Sequence, residues 1–113
     1  MSLSLINMQS LNLNEFVDKQ IGWSLKAFGP NPRLMGIVDH IQKELVEIKE
    51  KPSDLEEWVD VIILALDGAW RSGHTSNEIC EMLEKKFNKN KNRTWPDWKN
   101  QPEDKAIEHV RGS

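Results

Sequence analysis

Residues 44–60 read ELVEIKEKPSDLEEWVD. The segment contains two pairs of acids spaced three residues apart, Glu44 with Glu47 and Glu57 with Asp60. Pro52 ends one predicted helix, and Ser53 begins the next with capping-box spacing to Glu56. Because residues three apart share a helix face, and a short turn makes successive helices antiparallel, we expect the four carboxylates to converge on one seam.

The residues that interrupt helices predict four helices in all. A glycine and two prolines within residues 28–32 stop the first helix, which Asn12 or Asn14 caps. A second capping box, Thr75 with Glu78, begins the last one. The predicted helices span residues 14–27, 33–50, 53–72 and 75–88. Alternating runs typical of strands are absent, so the predicted fold class is all-α, a four-helix bundle.

Helical phase places one acid against an apolar surface. The second predicted helix carries one apolar stripe, formed by Leu34, Ile37, Ile41, Leu45 and Ile48. Glu44 falls inside the edge of that stripe, which is costly unless its carboxylate is paired or bound to metal.

The third predicted helix is apolar nearly all round, and its polar face carries Glu57, Asp60 and Asp67. A helix of this kind is buried on most sides. In so short a chain we interpret it as a subunit interface. The expected assembly is a homodimer or a dimer of dimers.

The four acids are candidate metal ligands. Carboxylates so close together repel one another unless a cation is present, and oxygen ligands suit Mg²⁺ or Mn²⁺. The Glu-x-x-His pairs of di-iron bundles are absent. A single Glu-x-x-Glu pair is usually a solvated surface, but two pairs on adjacent helices favour a metal centre. One of the four carboxylates, not identified by the sequence, would also serve as the general base.

Length and charge restrict the remaining function classes. The 113 residues suit one domain, with residues 1–12 and 100–113 expected to be peripheral. The net charge of −3 excludes a generic basic nucleic-acid binder. It combines a local −5 over residues 39–60 with a local +5 over residues 85–99. A single cysteine, Cys80, and the lack of a signal peptide or membrane span indicate a cytoplasmic protein without membrane contact.

With these residues in view, the chain resembles the all-α nucleoside triphosphate pyrophosphatases, the MazG-like superfamily. The two acid pairs look like its metal motif. Further segments are similar to one branch, the dATP/dGTP diphosphohydrolase-like family that includes the MazZ enzymes of phages. Those segments are 23–30, 36–45, 57–60 and 86–96. The resemblance implies a magnesium-dependent enzyme that converts a purine dNTP to dNMP and pyrophosphate and, in a phage, supplies 2-aminoadenine synthesis.

A basic segment could meet the phosphates of such a substrate. Lys86, Asn90 and Arg93 would share one face of a helix extended through them. A lysine-rich helix end is commonly just solvated, but the family signature favours phosphate binding by Lys86 and Arg93, with Asn90 as an orienting hydrogen-bonding group.

Base contacts are predicted near the end of the first helix. Trp23 and Phe28 could stack on a base, and Gln20 and Ser24 could contact its edges, although core packing is the alternative for aromatic residues. His40 lies near the acids and could support them or pack in the core.

Two other functions stay open at this point. A pyrimidine triphosphatase acting on dUTP or dCTP would share the fold and the chemistry. A non-enzymatic helical module would instead use the apolar third helix to capture a partner.

Overall fold

The computed structural model describes residues 10–112, which form four α-helices and one short 3₁₀ helix. The elements are α1 (Leu13–Phe28), α2 (Leu34–Glu50), α3 (Leu55–Arg71), α4 (Ser76–Lys91) and the 3₁₀ helix Trp98–Asn100. No strand occurs among these residues, so the predicted all-α class is confirmed. Residues 1–9 and 113, parts of the segments expected to be peripheral, lie outside the described residues.

Side-chain caps set the starts of α1 and α4. Asn12 caps α1 by accepting a hydrogen bond from the Glu15 N–H at 3.0 Å. The predicted capping box of α4 is present, since the Thr75 N–H donates to Glu78 and the Glu78 N–H donates to the Thr75 hydroxyl. These caps satisfy backbone donors that have no partner within the helix.

Two helix ends differ from the prediction. Asp54, not Ser53, caps α3, and its carboxylate accepts the Glu56 N–H at 3.0 Å. Asp54 has the extended backbone of an N-cap residue and directly precedes the first helical residue, so its side chain can reach that donor. Helix α4 continues to Lys91, beyond the predicted end at Asn88.

Helix α3 packs against both α1 and α2. Helices α2 and α3 are antiparallel and approach closely, since a Cβ placed on Gly68 would lie 3.6 Å from Ile37 Cγ2. Helix α1 runs parallel to α3. Gln20 Nε2 donates to the Ile63 carbonyl at 2.9 Å, and one turn later Ser24 Oγ donates to Asp67 Oδ1 at 2.7 Å.

The apolar core is small. Its buried members are Val17, Ile37 and Ile48, of which Val17 is fully buried. Leu45, predicted to belong to the apolar stripe of α2, is 44% exposed. Helix α3, expected to be buried on most sides at a subunit interface, leaves Trp58 and Ile62 49% and 57% exposed in the single chain. The reason is that α1 and α2 cover only part of the circumference of α3.

The chain divides into two compact units, and the division falls between Cys80 and Glu81 within α4. In the second unit the segment after α4 folds back on itself. The Val110 N–H donates to the Thr94 carbonyl at 2.8 Å, which joins the two ends of this segment. Trp95 stacks edgewise on His109 and donates from Nε1 to the Asn90 carbonyl. Within the described range, no helix combines the length and apolarity needed to cross a membrane.

Candidate functional site

An acid cluster lies between α2 and α3. Glu44, Glu57 and Asp60 each offer a carboxylate oxygen within 4.8 Å of the others. Three of the four predicted metal ligands are thus brought together by the antiparallel pair of helices. Glu47, one turn after Glu44 on α2, lies at the side of this cluster and acts on its electrostatics.

The acids shift one another's protonation. Burial, followed by the neighbouring Glu47 carboxyl, raises the pKa of Glu44. The close Glu47 carboxyl, together with burial and Glu44, raises the pKa of Glu57 to about 7. Like charges gathered at one place disfavour ionisation unless a cation balances them.

The cluster also contains carboxylate oxygens that the protein leaves unsatisfied. Glu44 Oε2 and Glu57 Oε2 are buried and have no hydrogen-bond partner among residues 10–112. Buried polar atoms are normally paired, and an all-oxygen donor set suits a hard divalent cation. Glu44, Glu57 and Asp60 could therefore hold a metal ion. His40 is exposed and places Nε2 3.4 Å from Glu44 Oε1, so it adjoins the cluster rather than packing in the core.

A cavity of about 390 Å³ opens on the cluster. Its walls come from α1, α2, α3 and the loop before α2. The lining residues are Trp23, Phe28, Arg33, Gly36, Ile37, His40, Glu44, Asp60, Ile63, Leu64, Asp67 and Arg71. The volume lies within the range of small-molecule sites. Two acids of the cluster, Glu44 and Asp60, therefore share one cavity with aromatic and basic side chains.

Two of the predicted base contacts form an aromatic wall of this cavity. Trp23 and Phe28 meet edge to face with ring centroids 5.5 Å apart. They are 61% and 53% exposed, so their faces are available to a ligand rather than packed in the core.

The other two predicted base contacts, Gln20 and Ser24, are buried between α1 and α3. The Ser24 hydroxyl is bonded to Asp67 and also accepts from Arg71. Gln20 donates to the Ile63 carbonyl, and its Oε1 atom is buried without a partner in the described part of the chain.

Sequence reasoning missed the ion pair beneath the cavity. Arg71 is 7% exposed, and its Nε donates to Asp67 Oδ2 at 3.1 Å. Its two terminal nitrogens donate to Ser24 and to the carbonyls of Gly29 and Asn31. This guanidinium therefore fixes the loop between α1 and α2. The available signal was an acid and an arginine four residues apart on an otherwise apolar helix.

The predicted phosphate-binding residues belong to the second unit. Lys86 and Asn90 lie on α4, and Arg93 follows its end. Arg93 Nη1 donates to Asn90 Oδ1 at 3.0 Å, so these two side chains are in contact. Arg93 Nε is buried and has no partner within residues 10–112.

A family model described as dATP/dGTP pyrophosphohydrolase matches residues 16–113. The match covers most of the chain and includes every predicted site residue. Comparison with curated proteins and with solved structures gave no match.

Proposed function

The chain belongs to the dATP/dGTP pyrophosphohydrolase family, and we propose that it uses Mg²⁺ to hydrolyse a purine deoxynucleoside triphosphate, dGTP or dATP, to dNMP and pyrophosphate. Membership of this family makes the protein a nucleoside triphosphate pyrophosphohydrolase. The alternative of a non-enzymatic helical module is therefore set aside. The observation that carries the proposal is the pair of buried, unpartnered oxygens on Glu44 and Glu57, in a cluster whose members Glu44 and Asp60 line a cavity with an aromatic wall.

The cation would be held by Glu44, Glu57 and Asp60, with Glu47 completing the charge of the site. Mg²⁺ is favoured by the oxygen-only donor set, and Mn²⁺ would substitute for it. When bound, it supplies charge neutralisation of the phosphate chain and acidification of a nearby water. The cluster's own contribution is to fix that charge in place, and one of its carboxylates accepts the proton of the attacking water.

The substrate's base would lie against Trp23 and Phe28. Their exposed rings supply the apolar, flat surface that a purine stacks on. Gln20 and Ser24 support this wall from behind, since their hydrogen bonds hold α1 on α3.

The triphosphate would be bound in part by Lys86 and Arg93. Asn90 orients the Arg93 guanidinium through the 3.0 Å hydrogen bond. The buried, unpartnered Nε of Arg93 supports a role in binding an anion. In this proposal residues 1–113 act as one catalytic domain.

The enzyme would work as a homodimer, or as a dimer of such dimers, joined through α3. The support is the apolar surface that α3 exposes, where Leu55, Trp58 and Ile62 are 73%, 49% and 57% exposed. Contiguous apolar surface of this kind is characteristic of interfaces. Free Cys80 suits a cytoplasmic location, and the likeness to MazZ enzymes supports a role upstream of 2-aminoadenine synthesis in a phage.

A substrate panel tests the function. Purified protein is incubated with Mg²⁺ and, separately, dGTP, dATP, dUTP or dCTP, and the products are resolved by chromatography. We expect monophosphate and pyrophosphate from the purine nucleotides. Turnover confined to dUTP or dCTP would identify the pyrimidine alternative, and no turnover of any of the four would refute the proposal.

Variants then connect turnover to the acid cluster. Glu44→Gln and Asp60→Asn should each abolish turnover while the helical circular dichroism is retained. The matched control is Glu56→Gln, an exposed acid on α3 outside the cluster. Full activity in both cluster variants would place the metal site elsewhere.

A further inference from the structure

Two arginines line the cavity, and only one is engaged by the protein. Arg71 donates to Asp67, to Ser24 and to two loop carbonyls, so its donors are committed. The Arg33 side chain has no hydrogen bond or ion pair to any residue in the described range, although its backbone carbonyl accepts the Ile37 N–H of the helix start. Its guanidinium is permanently charged and carries five N–H donors. An uncommitted donor set at the wall of a ligand cavity is available to the ligand.

The backbone of Arg33 has a conformation that is uncommon for a residue with a side chain. With φ at 50° it occupies the left-handed region and directly precedes α2. Residues with a Cβ seldom adopt this conformation, whereas glycine adopts it freely. A Cβ added to Gly36, which also lines the cavity, would lie 3.7 Å from Arg33 Nη2. The guanidinium therefore lies over a position of α2 that has no side chain.

The position of Arg33 just before the start of α2 places it at one end of the cavity. Glu44 lies eleven positions further along the chain, which corresponds to about 16 Å along a helix axis. Phosphates held near the acid cluster would leave the base at the opposite end, where Arg33 and Phe28 flank the loop between α1 and α2. Arg71 fixes this loop by its hydrogen bonds to Gly29 and Asn31.

The chemistry of the purine ring decides what an arginine at that end can distinguish. Guanine presents two acceptors, O6 and N7, on one edge, and a guanidinium donates to both at once. Adenine has an amino donor in place of O6, which would face another donor. We propose that Arg33 donates to O6 and N7 of the bound base and makes the enzyme prefer dGTP to dATP, an inference that rests on the proposed function.

Analogue substrates test this on the wild-type enzyme, without any variant. The kcat/KM is measured for dGTP, dATP, dITP and 7-deaza-dGTP in the presence of Mg²⁺. dITP retains O6 and N7 and should be used like dGTP, whereas 7-deaza-dGTP lacks N7 and should be used less well. Equal kcat/KM for dGTP and 7-deaza-dGTP would overturn the proposal.

Variants of Arg33 test which group is responsible. Arg33→Ala and Arg33→Gly should lower the dGTP-to-dATP ratio of kcat/KM by roughly 5- to 150-fold, the range for one bidentate base contact. Arg33→Gln should lower it furthest, because a side-chain amide pairs with N6 and N7 of adenine. Since glycine suits φ 50°, the melting temperature of Arg33→Gly should not fall, which separates loss of base contact from misfolding.

Two other results would contradict the Arg33 proposal and the proposed function, respectively. If the variants reduce kcat/KM for dGTP and dATP by the same factor, Arg33 contacts phosphate and the proposal is wrong. Absence of any dNTP turnover by the wild type would instead refute the proposed function, so the two failures are distinguishable.

Discussion

Glu44 and Glu57 approach each other from the antiparallel helices α2 and α3, and each keeps one buried carboxylate oxygen without a hydrogen-bond partner among residues 10–112. Glu47 lies close enough to Glu57 to be the main cause of its raised pKa. The fold thus gathers negative charges that its described residues do not neutralise. This arrangement is expected of a site completed by a cation.

The first prediction concerns the pH dependence of the metal-free protein. Folding raises the pKa of Glu57 from 4.5 to about 7, so the folded state favours the protonated acid. Its contribution to stability is present below the ordinary pKa and is lost as pH rises through about 7. We expect Mg²⁺ to raise the melting temperature more at about pH 8 than at about pH 5, because binding displaces the proton. Circular dichroism melts with and without Mg²⁺ measure this, and equal shifts at both pH values would contradict it.

The second prediction is that Glu57→Gln stabilises the metal-free protein at about pH 8 and abolishes the Mg²⁺-dependent rise in melting temperature. The amide keeps the shape of the side chain but removes one of the converging charges. Thermal melts and the dGTP assay are run beside Glu56→Gln, its exposed neighbour on α3. The interpretation fails if the two variants behave alike.

The helices themselves could be predicted because their ends are set by local sequence. Asn12 caps α1, and Thr75 with Glu78 begins α4, through contacts within three residues. Convergence of the acids likewise follows from their spacing and a short turn. Periodicity gives the direction of a side chain around its helix but not what covers that direction. This is why Leu45 is exposed in the structure although periodicity places it in the apolar stripe of α2.

The support beneath the cavity could not be predicted in the same way. Arg71 bonds to Ser24, Gly29 and Asn31, which lie 47, 42 and 40 residues away. No local rule connects positions so distant. The role of Arg33 at the cavity wall likewise depends on the tertiary structure. The neighbouring sequence shows only that Arg33 follows a proline-containing loop, not that it lines a cavity.

The third prediction distinguishes the two adjacent candidates for the α3 cap. Asp54→Ala should cost about 1 kcal/mol of stability, because the Glu56 N–H loses its acceptor. Ser53→Ala, which removes the residue that spacing alone favours, should stay within about 0.5 kcal/mol. Urea unfolding followed by circular dichroism gives both values. If Ser53→Ala loses more stability than Asp54→Ala, the result would instead support the capping box predicted from the sequence.

The fourth prediction concerns the buried pair of Asp67 and Arg71. Removing one partner, as in Arg71→Met, leaves the other charge buried and should cost about 3–5 kcal/mol. The double variant Asp67→Leu/Arg71→Met removes both charges and should lose less than the sum of the two single changes. Chemical unfolding of the three variants provides the cycle. Strict additivity would show that the two side chains do not act as a pair.

The fifth prediction tests assembly through α3. Ile62 is 57% exposed in the single chain, and a carboxylate at this position would be stranded inside a dimer interface but hydrated in a monomer. Ile62→Asp should therefore halve the particle mass measured by size-exclusion chromatography with light scattering, while the helical signal persists. Leu11→Asp is the matched control, since Leu11 is 71% exposed and lies outside α3. If Ile62→Asp keeps the wild-type mass, or if the wild type is already monomeric, this face of α3 is not the interface.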